Sequence, residues 1–156
     1  MTFAPDHEEQ ILALSLRAWS PVFAKLEPVV PPYVYRAFYP KGWEARQATD
    51  ITGFLGTEGH HAWVAVRAGT VLGWVGARMH SEDRMGEIYI IAVDPDHQRH
   101  GIATALMNHA IADIRGAGMA IVMVETGDDP GHDASRAAYE AAGFERWPVA
   151  RYFRKL

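Results

Sequence analysis

The chain has 156 residues, 49% hydrophobic and 22% charged, a formal charge of −4 and no cysteine. That length lets one domain bury a core without covalent staples, and the missing cysteine removes disulfides, thiol nucleophiles and thiolate metal sites together. The acidic balance argues against non-specific nucleic-acid binding, which needs clustered Lys and Arg, and no apolar run approaches the ~18 residues of a membrane span.

The opening MTFAPDHEEQ has neither a basic n-region nor an apolar h-region, so no signal peptide is read and a cytoplasmic location is expected. A single domain over 1–156 is expected. Residues 8–26 place Ile11, Leu12, Leu14, Leu16, Trp19, Phe23 and Leu26 at mixed three- and four-residue spacing with acidic residues first, which predicts a helix kinked or broken at Pro21. Next comes a proline- and aromatic-rich loop around one short helix, then a helix from about Trp43 to Leu55. After residue 58 the period changes. HAWVAVRAGTVLGWVGARMH holds two β-rich runs split by Arg67, Ala68 and Gly69, and EIYIIAV follows a polar turn, so three antiparallel strands are expected. A helix over 98–115, a strand in AIVMVET, a turn in GDDPGHD, a helix over 133–142 and a last run, VARYFRKL, complete a β-α-β-α-β half. The fold class is α+β, or α/β in three layers, with a mixed sheet.

The stretch VDPDHQRHGIATA joins an apolar strand to the first turn of a helix and sets glycine where it costs about 1 kcal/mol relative to alanine. First-turn amides lack intrahelical partners, and together with the helix dipole and Arg99 they make an anion site. Neither GxxxxGK[ST] nor GxGxxG is present. On these residues alone a plain tight turn is an equal reading.

Gln98, Gly101 and Ala103 fit the pattern [Q/R]-x-x-G-x-[G/A], and SRAAYEAAGF at 135–144 fits A-x-x-x-Y-E-x-x-G-F. On these two motifs residues 60–155 resemble the GNAT superfamily of acetyl-CoA-dependent N-acetyltransferases. The resemblance implies a mostly antiparallel mixed sheet of six or seven strands flanked by about four helices. The lower number allows for MTFAPDHEEQ, which offers almost none of the family's short first strand. It implies acetyl-CoA as co-substrate, with the diphosphate held by Gln98, Arg99, His100, Gly101, Ile102, Ala103 and Thr104. The pantetheine arm would be held by the strand end Ile91, Ala92 and Val93, with Ser135 near the sulfur. The family's Asn before its last motif is replaced here by His132.

The resemblance also implies the chemistry. Freeing the lone pair of a lysine-like amine at pH 7 costs about 4.6 kcal/mol, so a general base helps. Glu87, the one carboxylate of EIYIIAV, stands at the family's base position, and Tyr139 stands where the family protonates the departing thiolate. By composition alone Glu87 also reads as an exposed strand start and Tyr139 as a core tyrosine. The eight histidines show no metal-site spacing, and no metal is expected. The aromatics from Tyr33 to Trp43, with Glu44 and Asp50, read either as core or as a wall for a cationic amine. The expected partner is a small-molecule or peptide amine, with no nucleic acid and no membrane. Oligomeric state is open, a homodimer included. The rival reading is a catalytically silent acyl-CoA-binding or sensing domain, and a nucleotide-phosphate enzyme using the same loop is a third.

Overall fold

A computed structural model describes residues 1–156. The helix α1 (Glu8–Leu26) runs unbroken past Pro21, and α2 (Pro32–Phe38) and α3 (Trp43–Glu58) follow it. Three strands then form an antiparallel meander: β1 (Ala62–Arg67), β2 (Thr70–His80) and β3 (Met85–Val93). The helix α4 (Ile102–Gly116) crosses over to β4 (Ile121–Val124), which pairs parallel to β3, and α5 (Asp133–Ala141) comes last. The sheet order is β1-β2-β3-β4. No helix is long and apolar enough to cross a membrane.

The sheet is covered on both faces, as the apolar character of EIYIIAV requires. On one face Ile11 and Leu14 of α1 and Ile51, Phe54 and Leu55 of α3 pack on Val64, Val71, Trp74 and Ala92. On the other, Leu106, Met107, Ala110 and Ile114 of α4 pack on Trp63, Val75, Ala77 and Ile88. Leu106, Ala110 and Ile114 recur every four residues in one stripe of α4, and Met107 comes from the adjacent one. Gly86 permits the contact, because a Cβ there would stand 2.3 Å from Ile114.

The strand count differs from expectation, four strands rather than six or seven, while five α-helices stand against the expected about four. At the amino end Thr2 forms one antiparallel bridge to Trp63, supported by Phe3 N–H to the Ala62 carbonyl and Val64 N–H to the Met1 carbonyl. A strand-like edge exists, but Pro5 and the turn it begins stop it from lengthening. At the carboxyl end the expected last strand is absent, and Trp147, Val149 and Tyr152 are exposed. Adjacent Tyr152 and Phe153 between Arg151 and Arg154 give the run no single apolar face to lay on a sheet. Phe153 instead meets the Phe38 ring edge-on at 5.8 Å.

One irregularity has a large effect. Between Gly76 and Ala77 the β2–β3 register shifts, so that Gly76 faces Ile90, Ala77 faces Ile88, and Tyr89 has no partner. This bulge turns both Tyr89 and Ile90 towards the α1/α3 core, and beyond it the alternation of faces is reversed.

Candidate active site

The β3–β4 pairing covers only Met85 to Ile88 of β3, and the strand then continues alone to Val93. The Asp94 N–H donates to the Leu72 carbonyl, which places the main-chain groups of Asp94, Ala92 and Ile90 towards β2. By the same alternation those of Ile91 and Val93 point into the gap where β4 has ended. The Val93 carbonyl accepts from Gln98 Nε2 at 3.2 Å. That leaves the Val93 N–H and both main-chain groups of Ile91 facing the gap. Ala92 differs from its neighbours, since its side chain is in the core and its main chain faces β2. It offers a ligand nothing directly.

The turn after β3 is fixed by Pro95 and by Asp94, whose carboxylate accepts from the Asp96 N–H at 2.9 Å. Arg17 of α1 grips both acids at 2.8 Å, tying the turn to the helix layer. Both bonds hold the guanidinium proton and raise the pKa of Arg17, the bond to Asp96 contributing most. Arg99 and Gly101 follow with φ of 64° and 78°, and α4 starts at Ile102. The first hydrogen bond into the helix runs from Ala105 N–H to the Gly101 carbonyl, so the amides of Ile102, Ala103 and Thr104 are free for an outside acceptor. Gly101 is exposed, and a Cβ there would meet nothing. Its left-handed φ is what demands glycine. Beside this turn lies a cleft of about 240 Å³ lined by His97, His100, Ile102, Leu72 and Arg67. Arg67 sits at the end of β1, where the sequence marked only a hairpin.

Glu87 lies on the α1/α3 face of the sheet, because its direct cross-strand partner Arg78 stacks over Tyr89 and Phe54 there. Its carboxylate is 2.7 Å from His80 Nε2, with the glutamate side chain 16% exposed and the histidine 39%. Arg78 is held elsewhere, donating from Nε to Glu58 at 2.9 Å. Tyr139 comes from α5, meets the Phe144 ring edge-on and packs against the α4-side core, as do Val122 and Val124. Burial raises the pKa of its hydroxyl, so the phenol keeps its proton at neutral pH. Ser135, one helical turn earlier, is half-buried on the same face of α5. Glu87 and Tyr139 thus belong to opposite layers of the sheet.

Two features escaped the sequence reading. His80 was unassigned, although a tight β2–β3 turn puts it diagonal to Glu87 on one face. The loop before α5 is held by Arg136, which donates to the Gly127 and Asp129 carbonyls at 2.5 and 2.8 Å. In the same loop His132 Nδ1 lies 2.6 Å from Asp129, and its ring meets Trp19 of α1 edge-on. The spacing Asp-x-x-His was a readable signal. No group of three or more His, Asp or Glu side chains is placed to hold a metal ion.

A mixed sheet layered between helices, with a strand edge left open ahead of a helix start whose amides are free, defines an α/β protein with donors exposed along a sheet gap. Residues 33–144 match the family model described as "Acetyltransferase (GNAT) family", and the chain belongs to that family. Over 98 residues it is 32% identical to a mycothiol acetyltransferase of Thermobispora bispora, covering 60% of this chain and 32% of that protein. It is 35% identical over 66 residues to the [ribosomal protein bS18]-alanine N-acetyltransferase of Escherichia coli strain K12, covering 42% of this chain and 43% of that one. The chain therefore spans about a third of the length of the mycothiol acetyltransferase and less than half of the second relative. Among solved structures, the aminoglycoside N-acetyltransferase AAC(6')-Iy in complex with CoA shares the fold, with a TM-score of 0.65 at 18% identity over 98% of this chain and 91% of the other.

Proposed function

We propose that the chain is an acetyl-CoA-dependent N-acetyltransferase that passes the acetyl group directly to a primary amine. The observation that carries this reading is the β3 edge left open beyond Ile88, running into a turn whose helix amides have no partner. Free main-chain donors in that order suit a ligand with an amide-bearing arm and a diphosphate. The amides of Gly101 to Thr104, with Arg99 and His100, would take the diphosphate, and Ile91 and Val93 the pantetheine arm. Gln98 then acts as a brace on the Val93 carbonyl.

The Val93 N–H, unspent and fixed by the sheet, would polarise the thioester carbonyl as charge grows on its oxygen. Glu87 would accept the ammonium proton from the α1/α3 side. Tyr139 would donate to the departing sulfur from the α4 side, its proton retained because the phenol is buried. Two groups on opposite layers let proton removal and proton delivery proceed at either end of one carbonyl. Relatives named for mycothiol and for a protein alanine, and a structural neighbour named for aminoglycosides, support an amine acceptor without choosing among them.

The test is release of CoA thiol from acetyl-CoA in the presence of a panel of small amines and peptides. Turnover that collapses in Glu87→Gln and Tyr139→Phe supports the assignment. Tight CoA binding with no turnover on any amine would favour a silent acyl-CoA sensor. Protection against unfolding by ATP but not by acetyl-CoA would overturn both.

A further inference from the structure

We propose that Glu87 and His80 work as one proton-handling pair, in which His80 releases a proton to water as Glu87 takes one from the amine. The inference rests on the acetyltransferase reading above and assigns His80 a part in the same reaction. The imidazole and the carboxylate are 2.7 Å apart, close enough for each to feel the other's proton. Their exposures differ in the useful direction, 16% for the carboxylate and 39% for the imidazole, so the inner group has an outer neighbour in contact with water. No other cation is available to Glu87. Arg78, its direct cross-strand partner, is bonded to Glu58 and stacked 3.8 Å over Tyr89. On the β4 side the register partner is Met123, and β4 carries no charged residue. The remaining ionisable groups near His80 are Glu82, Asp83 and Arg84 in the turn that follows it, all exposed, and Arg84 donates to the Gly118 carbonyl at 3.4 Å.

A proton taken up by Glu87 beside an imidazolium would leave one uncompensated positive charge on the partly covered pair, which is costly away from water. With His80 bonded to Glu87 through Nε2, that charge is cancelled. The ammonium N–H bond breaks and an O–H bond forms on Glu87, while the outer Nδ1–H of the imidazolium breaks and its proton goes to water. The freed lone pair then attacks the thioester. Moving the carboxyl proton back to the imidazole through water restores the pair. One proton enters from the amine and one leaves, and the proton count on the pair is unchanged over the cycle. His80 is thus a positioning and relay residue acting through Glu87. An imidazole suits this because it has two ring nitrogens, one to bond Glu87 and one to exchange its proton with water.

The deciding measurement is the pH dependence of kcat and KM for wild type, His80→Gln and His80→Ala on one accepted amine, with CoA binding followed by thermal shift to confirm folding. His80→Gln can still donate a hydrogen bond to Glu87 but cannot titrate. It should lower kcat about tenfold, less than the roughly 10²-fold expected of Glu87→Gln. KM for acetyl-CoA should stay put, and the pH profile of kcat should differ from that of the wild type. His80→Ala should regain activity with added imidazole. A His80→Gln enzyme whose rate and profile superimpose on wild type, or a folded His80→Ala enzyme that imidazole does not rescue, overturns the relay and leaves the acetyltransferase reading standing. A wild-type protein that turns over no amine overturns that reading and the relay with it.

Discussion

The indole N–H of Trp74 donates to Ser15 Oγ at 2.9 Å, with both residues wholly inaccessible to solvent. This bond joins α1 to the middle of β2 inside the apolar layer that backs the Glu87 face. Removing its acceptor by Ser15→Ala leaves a buried donor unpaired, a cost of about 1–3 kcal/mol. Urea unfolding should show a lowered midpoint with an unchanged slope. Ser15→Ala combined with Trp74→Phe should cost less than the sum of the two single changes, because the orphaned donor is then gone.

Gly101 holds φ at 78° ahead of α4. In Gly101→Ala the left-handed backbone costs about 1–2 kcal/mol, which the turn can shed only by rotating the amides that follow. Acetyl-CoA affinity measured by calorimetry should fall, whereas Gly53→Ala, on an exposed stretch of α3 with open space for a Cβ, should leave it unaltered.

Arg17 reaches from α1 to Asp94 and Asp96. The guanidinium is half exposed, so its loss should scarcely move the unfolding midpoint. Because those acids define the turn that leads into Gln98–Gly101, Arg17→Ala should raise KM for acetyl-CoA several-fold and leave kcat nearly unchanged. High salt should reproduce part of that effect in the wild type.

Burial holds the Tyr139 phenol above its ordinary range. A group whose pKa is higher folded than unfolded binds more protons in the folded state between the two values, so stability falls as pH climbs through that window, above about 10. Tyr35 and Tyr39 are raised too, chiefly by burial, and add to the same alkaline loss. Tyr139→Phe should remove its share of the fall, seen as a flatter melting temperature above about pH 10, and should lower kcat by up to about 10²-fold at neutral pH.

Much of this could be read locally. The strand–turn–helix at 87–116 announced itself through an apolar run, Pro95 and the glycine at 101, because turn chemistry and helix starts depend on near neighbours. The last strand was misread because VARYFRKL has β-forming residues but no consistent face, and only the sheet could reject it. His80 was missed because its partner lies across a hairpin, and composition does not carry register.

Sequence by itself determined the fold class, the apolar strand before Pro95 and the glycine turn into α4, the last two of which arise from contiguous residues and their hydrogen-bonding capacity. Tertiary structure decided on which side of the sheet the chemistry lies. Strict alternation would have set Glu87 on the face of Ile91 and Val93, under α4. The bulge at Tyr89 inserts one unpaired residue, reverses the faces, and delivers Glu87 to the α1/α3 side beside His80. A single extra residue in one strand is invisible to a period of two until both strands are paired.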